Sequence, residues 1–396
     1  MNYGCIGEHL SHSFSKEIHN ALADYDYKIK ELTPEELPIF MTKRDFKAIN
    51  VTIPYKRDVM PFLHWISPEA KSIDAVNTIV NVDGKLYGYN TDYYGMKALI
   101  EREGVSLVGK RVAILGSGGT SNTAFAVAKD MGADSVIKVS RNPKNGYVTY
   151  DELHETSSDV QIVINTTPCG MYPRIGEAAV DIEKFPTIEA VFDAVYNPLK
   201  SKLVCDARKK GIVATGGLYM LVAQAAYAVE KFIDAPVDEN KVEKIFCNLY
   251  KDKMNIVLIG MPSCGKSSVG KSLAESFGKT FVDSDAEIVN SEGRAISDIF
   301  ASNGESYFRD VENEVISSLA LLNSRVIATG GGAVLRDDNM DILKENGRVY
   351  FINRPLNELI STDDRPLSKD RESLEKRYKE RYSLYVSSAD VVIDGS

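Results

Sequence analysis

The sequence predicts an α/β protein, because short β-branched apolar runs alternate with helical patterns from one end of the chain to the other. Two glycine-rich turns, each placed after such a run, support this prediction: KRVAILGSGGTSNTAFAVAK at 110–129 and NIVLIGMPSCGKSSV at 255–269. The length of 396 residues exceeds what a single hydrophobic core usually supports. We therefore expect parallel sheets covered by helices, in two or three domains.

The individual strands follow from the apolar runs. In chain order they are FKAINVTI, RVAILG, SVIKVS, QIVINTT, EAVFDAV, NIVLIG, RVIATGG, RVYFIN and DVVID. A helical pattern extends from Leu218 to about Tyr250 and stops where charged residues intervene, and Met254 opens a new strand. This break predicts a linker at 249–254 between an N-terminal and a C-terminal part.

The composition excludes several classes of function. The net charge of −9 provides no basic stripe for nucleic acid, and no apolar run approaches the roughly 18 to 20 residues of a membrane span. The first residues, MNYGCIGEHL, lack the charged and apolar regions of a signal peptide, so we expect a cytoplasmic protein. The five cysteines are scattered without metal-ligand spacing, which favours reduced thiols over disulfides or a zinc site.

The first glycine-rich turn has the features of a nucleotide-binding turn. Gly116, Gly118 and Gly119 follow an apolar strand and precede a helix, a context in which glycines let the backbone approach a pyrophosphate. The helix N-terminus then stabilises the phosphate charge. Ser121 stands where the third glycine of the pattern is expected, so a plain tight turn stays open as the alternative.

The end of the next predicted strand indicates which cofactor would bind. NAD enzymes place an acidic residue there, whereas this strand ends in Ser140, Arg141 and Asn142. A guanidinium with polar neighbours suits the 2′-phosphate of NADP. The alternative is that Arg141 is an exposed surface charge.

The second turn has the spacing G-x-x-x-x-G-K-S between a strand and a helical pattern, which predicts a phosphate-binding loop. In such a loop, backbone N–H groups cradle the phosphates, Lys266 reaches the β and γ groups, and Ser267 ligates magnesium. The residues expected to bind ATP are Gly260, Ser263, Cys264, Gly265, Lys266, Ser267 and Ser268.

Over residues 1–245, ordered motifs resemble those of shikimate dehydrogenase. They are SHSFS at 11–15, NVTIPYK at 50–56, AVNT at 75–78, YNTDYYG at 89–95, INTTPCGM at 164–171, FDAVYNP at 192–198 and GGLYMLVAQ at 216–224. The resemblance implies a substrate-binding domain at 1–97, completed by helices at 218–248, and a Rossmann NADP domain at 98–217.

The same resemblance implies a catalytic pair, Lys56 and Asp92, in which the lysine polarises a substrate carbonyl and delivers or relays a proton. For two such residues taken alone, a surface ion pair is the alternative. The residues implied at the substrate are Ser13, Ser15, Thr52, Asn77, Tyr196 and Gln224, and those implied at the cofactor are Thr166 and Gly217. In an extended segment, Ser13 and Ser15 would point the same way and could bind one carboxylate. Lys16 stands where the family usually has proline.

Residues 254–394 resemble shikimate kinase. The motifs are FVDSDAEI at 281–288, FRDVE at 308–312, ATGGGA at 328–333, DRPL at 364–367 and RYSLY at 381–385. The resemblance implies a P-loop NTPase-type kinase domain at 255–396, in which Asp285 orients or deprotonates the acceptor hydroxyl and Arg365 closes over the transferring phosphoryl group. The other residues implied at the substrate are Arg309, Gly331, Gly332 and Arg381, and those implied at magnesium are Ser267 and Asp283. We expect Asp283 and Asp285 to alternate at the end of a strand, one carboxylate serving magnesium through water and the other the substrate hydroxyls.

Together the resemblances imply a bifunctional enzyme of chorismate and aromatic amino acid biosynthesis. It would reduce 3-dehydroshikimate to shikimate with NADPH, and phosphorylate shikimate to shikimate 3-phosphate with ATP and Mg²⁺. We expect small-molecule substrates, no nucleic acid or membrane partner, and a monomer or homodimer. We also expect each half to work when the chain is divided near residue 250.

An alternative interpretation is a quinate/shikimate dehydrogenase joined to a noncatalytic nucleotide sensor. The sensor is motivated by the short lid segment RPLNELISTDD at 354–364 and by the end of the sequence at VVIDGS, without the segment that packs near adenine in relatives. Either weak ATP binding or an adenine site formed by other groups would follow. The acceptor residues of the kinase motifs argue against a sensor, since a sensor needs no acceptor site.

Overall fold

The computed structural model describes residues 1–8, 10, 14–143, 146–156, 159–359 and 371–395. The chain divides into two compact units. The first consists of Met1–Cys169, Ala178–Tyr196 and Asp206–Tyr250, and the second of Gly170–Glu177, Asn197–Cys205 and Lys251–Ser396. Within the described ranges, no helix combines the length and the apolar character that crossing a membrane would require.

The secondary structure alternates strands and helices, as the sequence predicts. The strands are β1 (Tyr3–Gly7), β2 (Tyr27–Glu31), β3 (Ala48–Val51), β4 (Trp65–Ile66), β5 (Thr78–Val82), β6 (Lys85–Tyr89), β7 (Arg111–Leu115), β8 (Ser135–Val139), β9 (Tyr147–Val148), β10 (Ile162–Asn165), β11 (Ala190–Asp193), β12 (Val213–Thr215), β13 (Asn255–Ile259), β14 (Thr280–Asp283), β15 (Arg325–Ala328), β16 (Gly347–Asn353) and β17 (Val391–Asp394). The helices are α1 (Ser15–Leu22), α2 (Glu36–Lys43), α3 (Pro68–Ile73), α4 (Thr91–Arg102), α5 (Gly119–Asp130), α6 (Tyr150–Thr156), α7 (Lys202–Lys209), α8 (Leu218–Ile233), α9 (Glu239–Lys253), α10 (Lys266–Phe277), α11 (Ser284–Glu292), α12 (Ile296–Ala320), α13 (Asp337–Asn346) and α14 (Arg371–Ser388).

The first sheet of the first unit has the order β2-β1-β3-β5-β6-β4 and mixes two directions. β1 pairs in parallel with β2 and β3, whereas β5 is antiparallel to both β3 and β6. The prediction of purely parallel sheets is wrong here, because β5 and β6 form a hairpin. Its turn contains Asp83 and Gly84, whose φ angles of 49° and 79° suit a two-residue hairpin loop.

The second sheet of the first unit is parallel and has the order β12-β11-β10-β7-β8-β9. The predicted strands β7, β8, β10 and β11 are confirmed. β7 lies inside the sheet with crossovers to both sides, so the crevice at its carboxyl end is where this fold binds ligands. The first glycine-rich turn follows β7 and therefore opens on that crevice.

The sheet of the second unit is parallel, in the order β14-β15-β13-β16-β17. The predicted strands β13, β15, β16 and β17 are confirmed. Val257, Leu258 and Ile259 of the central strand β13 are fully buried, and they anchor the main core cluster of this unit. The second glycine-rich turn leaves this strand directly for α10.

The single helical pattern predicted from Leu218 to about Tyr250 is divided in the structure. α8 ends at Ile233 because Asp234 adopts a φ of 51°, and α9 begins at Glu239. α9 then continues through Lys253, so most of the predicted linker at 249–254 is helical. Lys279 Nζ donates to the carbonyls of residues 251, 252 and 254, at 3.0, 2.6 and 3.0 Å, which fixes the end of this helix.

Candidate active sites

A lysine and an aspartate from distant parts of the first unit lie in contact. The backbone of Lys56, in the turn after β3, is held by a 2.8 Å hydrogen bond from the Val76 N–H to its carbonyl. Asp92 lies in the first turn of α4, whose N-cap Asn90 accepts from the Tyr93 N–H. Lys56 Nζ is 2.5 Å from Asp92 Oδ2, and the two side chains are only 23% and 16% exposed. This charge-assisted bond fixes the ammonium group, so the structure brings the predicted pair together.

A buried polar network connects two of the predicted substrate residues. Asn77 is 3% exposed, and its Oδ1 accepts from the Thr91 N–H at 2.7 Å. Thr91 Oγ1 in turn lies 3.4 Å from Gln224 Oε1. Gly95 permits this close approach of α4 and α8, because a Cβ at Gly95 would lie 2.7 Å from Met220 O. The structure therefore brings Asn77 and Gln224 together through Thr91.

The other predicted substrate residues are described in part. Ser15 is the first residue of α1, so the extended geometry expected for it is wrong, and Ser13 lies outside the described residues. Phe14 packs against Tyr196 with ring centroids 5.5 Å apart, and burial raises the pKa of the Tyr196 phenol. The N–H of Thr52, just after β3, donates to a carbonyl of β1 at 3.0 Å. Ser15 and Tyr196 are thus near neighbours through Phe14.

The first glycine-rich turn joins β7 to α5. Gly116 has a φ of 115°, and a Cβ there would lie 2.7 Å from Thr166 Oγ1, so the protein itself requires glycine at this position. A Cβ at Gly118 or Gly119 would instead meet no atom within 4 Å. α5 begins at Gly119 without a side-chain cap. Open space beside an uncapped helix N-terminus suits the pyrophosphate of a dinucleotide.

The residues after β8 form a turn that presents an arginine. The Ser140 hydroxyl, in a residue only 6% exposed, accepts from the Asn142 N–H at 3.3 Å. Arg141, between them, is exposed. A Cβ at Gly217 would overlap Ala194 O, so close packing already requires glycine there. Of Ser140, Arg141 and Asn142, Arg141 is the residue that can offer a charged group to an anion at the end of β8.

The second glycine-rich turn wraps around a lysine. Gly260 and Gly265 have φ angles of 148° and 99°, a region that favours glycine. Lys266 is 8% exposed, and its Nζ donates to Gly260 O at 2.9 Å and to Met261 O at 3.0 Å. The lysine therefore lies inside the loop whose phosphate contacts the sequence predicts.

The remaining loop residues differ in what they can offer a ligand. Ser263 has a φ of 63°, and Cys264 is 3% exposed within the hydrophobic core, so Cys264 can contribute only its backbone. Ser268 is exposed, whereas Ser267 Oγ donates to Asp283 Oδ2 at 2.7 Å. No group of three or more His, Cys, Asp or Glu in the described part of the chain could hold a metal. The two oxygens of Ser267 and Asp283 fit a magnesium ion that takes its other ligands from phosphate and water.

Two aspartates have a geometry that differs from the predicted one. β14 ends at Asp283, and Asp285 lies in the first turn of α11, so the residues do not alternate along a strand. Asp283 Oδ1 accepts from the Asp285 N–H at 3.1 Å and caps the helix. The carboxylates still face different neighbours, because Asp285 Oδ1 lies 2.5 Å from where a Cβ of Gly330 would be.

An arginine and a buried glutamate lie beside the glycine run at 330–332. Arg309 Nη1 is 2.8 Å from Glu312 Oε2, with side chains 13% and 1% exposed. Burial raises the pKa of Glu312, and Arg309 opposes that shift. A Cβ at Gly330 would lie 2.9 Å from Glu312 Oε1, and one at Gly332 would overlap the Arg309 guanidinium. The sequence analysis missed Glu312, although its position three residues after Arg309 on a helix was a signal for the pair.

α14 contributes two donors to the same glycine run. Arg381 is 7% exposed, and its Nη1 donates to Gly331 O at 3.0 Å. The Tyr385 hydroxyl donates to the same oxygen at 2.5 Å. Tyr385 also escaped the sequence analysis, even though it ends the motif RYSLY. The predicted lid residue Arg365 lies outside the described residues.

Two family models match separate parts of the chain. A model of the shikimate dehydrogenase substrate binding domain matches residues 5–79, and a model of shikimate kinase matches residues 262–396. The NADP(+) shikimate dehydrogenase of Clostridium perfringens is 39% identical over 267 residues, covering 62% of this chain and 96% of the relative. That of Clostridium beijerinckii is 36% identical with the same coverage of both chains.

Solved structures that contain shikimate 5-dehydrogenase match a similar share of the chain to the curated relatives. A chorismate mutase/shikimate 5-dehydrogenase fusion protein from Clostridium acetobutylicum matches with 35% identity and a TM-score of 0.59, covering 63% of this chain and 97% of its own. Shikimate 5-dehydrogenase from Thermus thermophilus, in complex with NADP(H) and shikimate, matches with 27% identity and a TM-score of 0.57, covering 63% and 99%. The chain therefore belongs to the shikimate dehydrogenase family and carries a shikimate kinase domain in the same polypeptide.

Proposed function

We propose that this chain catalyses two consecutive reactions, NADPH-dependent reduction of 3-dehydroshikimate to shikimate and ATP-dependent phosphorylation of shikimate to shikimate 3-phosphate. The observation that carries the proposal is the contact between Lys56 and Asp92, a proton donor held at 2.5 Å by a carboxylate. The shikimate kinase family match over residues 262–396 supports the second reaction. The domains at 1–97 with 218–248, at 98–217 and at 255–396 remain part of this proposal.

In the reduction, the protein has to deliver a proton to the carbonyl oxygen, while NADPH supplies the hydride. Lys56 polarises that oxygen and delivers the proton, and Asp92 keeps the ammonium group in position. The uncapped N-terminus of α5 accepts the pyrophosphate and Arg141 the 2′-phosphate. Thr166 and Asn142 complete the cofactor contacts.

In the phosphorylation, Lys266 exchanges its two loop carbonyls for phosphate oxygens, and Ser267 with Asp283 holds Mg²⁺. Asp285 orients the attacking hydroxyl of shikimate. The guanidinium forks of Arg309 and Arg381 bind its carboxylate. These groups lie at the start of α10, at the junction of β14 and α11, or against the glycine run at 330–332.

A coupled assay tests both reactions together. The full chain is supplied with 3-dehydroshikimate, NADPH and MgATP, and NADPH loss and shikimate 3-phosphate are followed in the same sample. We expect shikimate to accumulate when MgATP is left out and shikimate 3-phosphate to form when it is present. Accumulation of shikimate despite MgATP would contradict the second reaction, and faster oxidation of quinate with NAD than of shikimate with NADP would contradict the first.

A further inference from the structure

Two short segments from the N-terminal part of the sequence belong to the second unit. They are Gly170–Glu177 and Asn197–Cys205, and the remainder of that unit begins at Lys251. A 2.9 Å hydrogen bond from the Tyr172 N–H to Asn197 O joins them. Because they are remote in sequence from the rest of the unit, only tertiary contacts can hold them there.

These contacts converge on the junction between α13 and β16. The Leu199 N–H donates to Asn346 Oδ1 at 2.9 Å, and the Lys200 N–H donates to Glu345 O at 2.9 Å. Lys200 Nζ reaches one residue further and donates to Gly347 O at 3.0 Å. Three consecutive residues of the junction thus each accept a hydrogen bond from residues 199–200.

The residues that accept these hydrogen bonds are buried, so water has little access to their polar atoms. Glu345 and Asn346 are 2% and 1% exposed. Glu345 Oε2 also accepts from the Gly176 N–H at 3.3 Å, and Asn346 Nδ2 donates to Ala320 O at 3.0 Å. Without the two segments, the carboxylate and amide oxygens would lose protein donors, which is costly for buried polar groups unless water replaces them.

Apolar side chains strengthen the same contact. Leu199 is 3% exposed, and Ile175 packs against the main hydrophobic core cluster of the second unit. That cluster also includes Leu343 of α13 and Val349 of β16. The segments therefore bury apolar surface and satisfy polar groups at one place, as a stable interface does.

We propose that the α13–β16 junction is a docking surface occupied by residues 170–177 and 197–205 of the same chain, and that the second unit depends on this docking for its stability. The surface lies at the start of β16, where Gly347 pairs with Asn255 at the start of β13. The phosphate loop follows the opposite end of β13. Loss of docking therefore lowers stability and leaves the geometry of that loop intact.

Docking is a property of the folded chain, and its test by hydrogen exchange does not require either proposed reaction. It does change one expectation, because a chain that begins at residue 251 lacks both segments. We therefore expect division near residue 250 to destabilise the C-terminal part rather than release an independent enzyme.

Hydrogen exchange on the full chain tests the docking. Leu199→Asp places a charge in the buried contact, and we expect amides of α13 and β16 to exchange about tenfold faster or more. Val108→Asp introduces the same charge at a residue that is 71% exposed in the first unit, and exchange in α13 and β16 should stay as in the wild type. Equal exchange in Leu199→Asp and the wild type would overturn the proposal, as would the same acceleration in both variants.

A milder variant covers the case in which Leu199→Asp does not fold. Lys200→Met removes the donor to Gly347 O and keeps the backbone N–H that reaches Glu345. We expect faster exchange in β16, a lower unfolding midpoint for the second unit, and an unchanged KM for shikimate at low temperature. Unchanged exchange, or a raised KM without a lower midpoint, would contradict a role in stability.

Discussion

Lys56 Nζ lies 2.5 Å from Asp92 Oδ2, although 36 positions separate the two residues in the sequence. The turn after β3 supplies the lysine, and the first turn of α4 supplies the aspartate. Both side chains are less than one quarter exposed, so water screens their attraction less than it screens that of a surface ion pair. Because both residues lie in the first unit, a variant at Lys56 tests the reduction separately from the phosphorylation.

Replacing Lys56 by alanine should remove the proton donor of the reduction. General acid catalysis contributes roughly 10²- to 10⁴-fold, so we expect kcat for reduction of 3-dehydroshikimate to fall by about that factor. Phosphorylation of added shikimate should be unchanged, since Lys56 lies in the first unit. The measurements are NADPH oxidation with 3-dehydroshikimate and ADP release with shikimate.

The matched control is Lys97→Ala, which removes a lysine of α4 that is 42% exposed and paired with Glu101 within the helix. It should leave both rates near the wild-type values. Full reductase activity in Lys56→Ala would rule out the assigned role, and loss of both activities without unfolding would rule out two separate sites.

Lys266→Ala should give the opposite pattern. Its ammonium group lies inside the phosphate loop, and loss of one electrostatic donor at a reacting group typically lowers kcat by about 10²- to 10³-fold. Lys271→Ala, on the exposed face of the same helix, is the control and should phosphorylate shikimate normally. The idea fails if Lys266→Ala phosphorylates as fast as the control, or if it also loses reduction while remaining folded.

Local patterns explain why much of the fold could be predicted. β7 and β13 are short buried runs directly followed by glycines with positive φ, so strand, turn and helix were all visible in the sequence. The hairpin of β5 and β6 was missed, although Asp83 and Gly84 form a recognisable turn signal. The break after Ile233 was missed because a non-glycine residue, Asp234, takes the left-handed conformation there.

The site residues, too, were predicted only in part. Arg309 was predicted as a site residue, but Glu312, the buried carboxylate that pairs with it and ends the same motif, was not. Whether a glutamate on a helix faces solvent or a core depends on the strands and glycines packed against it, here Gly330 and Gly332. The spacing of Arg309 and Glu312 in the sequence indicated the pair. Its burial and its contact with the glycine run could be seen only in the tertiary structure.

The Arg309–Glu312 pair predicts a separation of stability from binding. Arg309→Ala leaves Glu312, 1% exposed, without its charged partner, and we expect a loss of about 3 kcal/mol in unfolding free energy. Adding Glu312→Gln removes the unpaired charge and should recover much of that loss. It should not restore the KM for shikimate, because the carboxylate of shikimate would still lack the Arg309 guanidinium. Thermal denaturation and steady-state kinetics measure the two effects.

Glu305→Gln provides the control, because Glu305 also pairs with Arg309 but is 55% exposed. Its effect on stability should stay below about 1 kcal/mol, as for exposed ion pairs. If the double variant is no more stable than Arg309→Ala, burial of the unpaired charge is not the cause. If it recovers the wild-type KM, Arg309 does not bind the substrate.

The first unit should lose stability in acid because of His19. This residue is 1% exposed, its ring stacks on Tyr27 at 3.9 Å, and its Nδ1 lies 2.7 Å from the Tyr25 hydroxyl. Burial lowers its pKa from 6.5 to about 3. Below pH 6.5 the unfolded chain binds a proton that the folded chain does not bind until about pH 3. Stability therefore falls as the pH drops through this window.

The expected loss between pH 7 and pH 4.5 is about 2.5 kcal/mol, since one pKa unit corresponds to about 1.4 kcal/mol. Trp65 is the single tryptophan of the chain and lies in β4, so its fluorescence reports denaturant unfolding of the sheet that His19 covers.

His19→Phe keeps an aromatic ring on Tyr27 but cannot bind a proton, so its stability should fall less over the same interval. His64→Gln changes an exposed histidine and should keep the wild-type dependence. An equal fall in His19→Phe and the wild type would show that other groups cause the acid sensitivity.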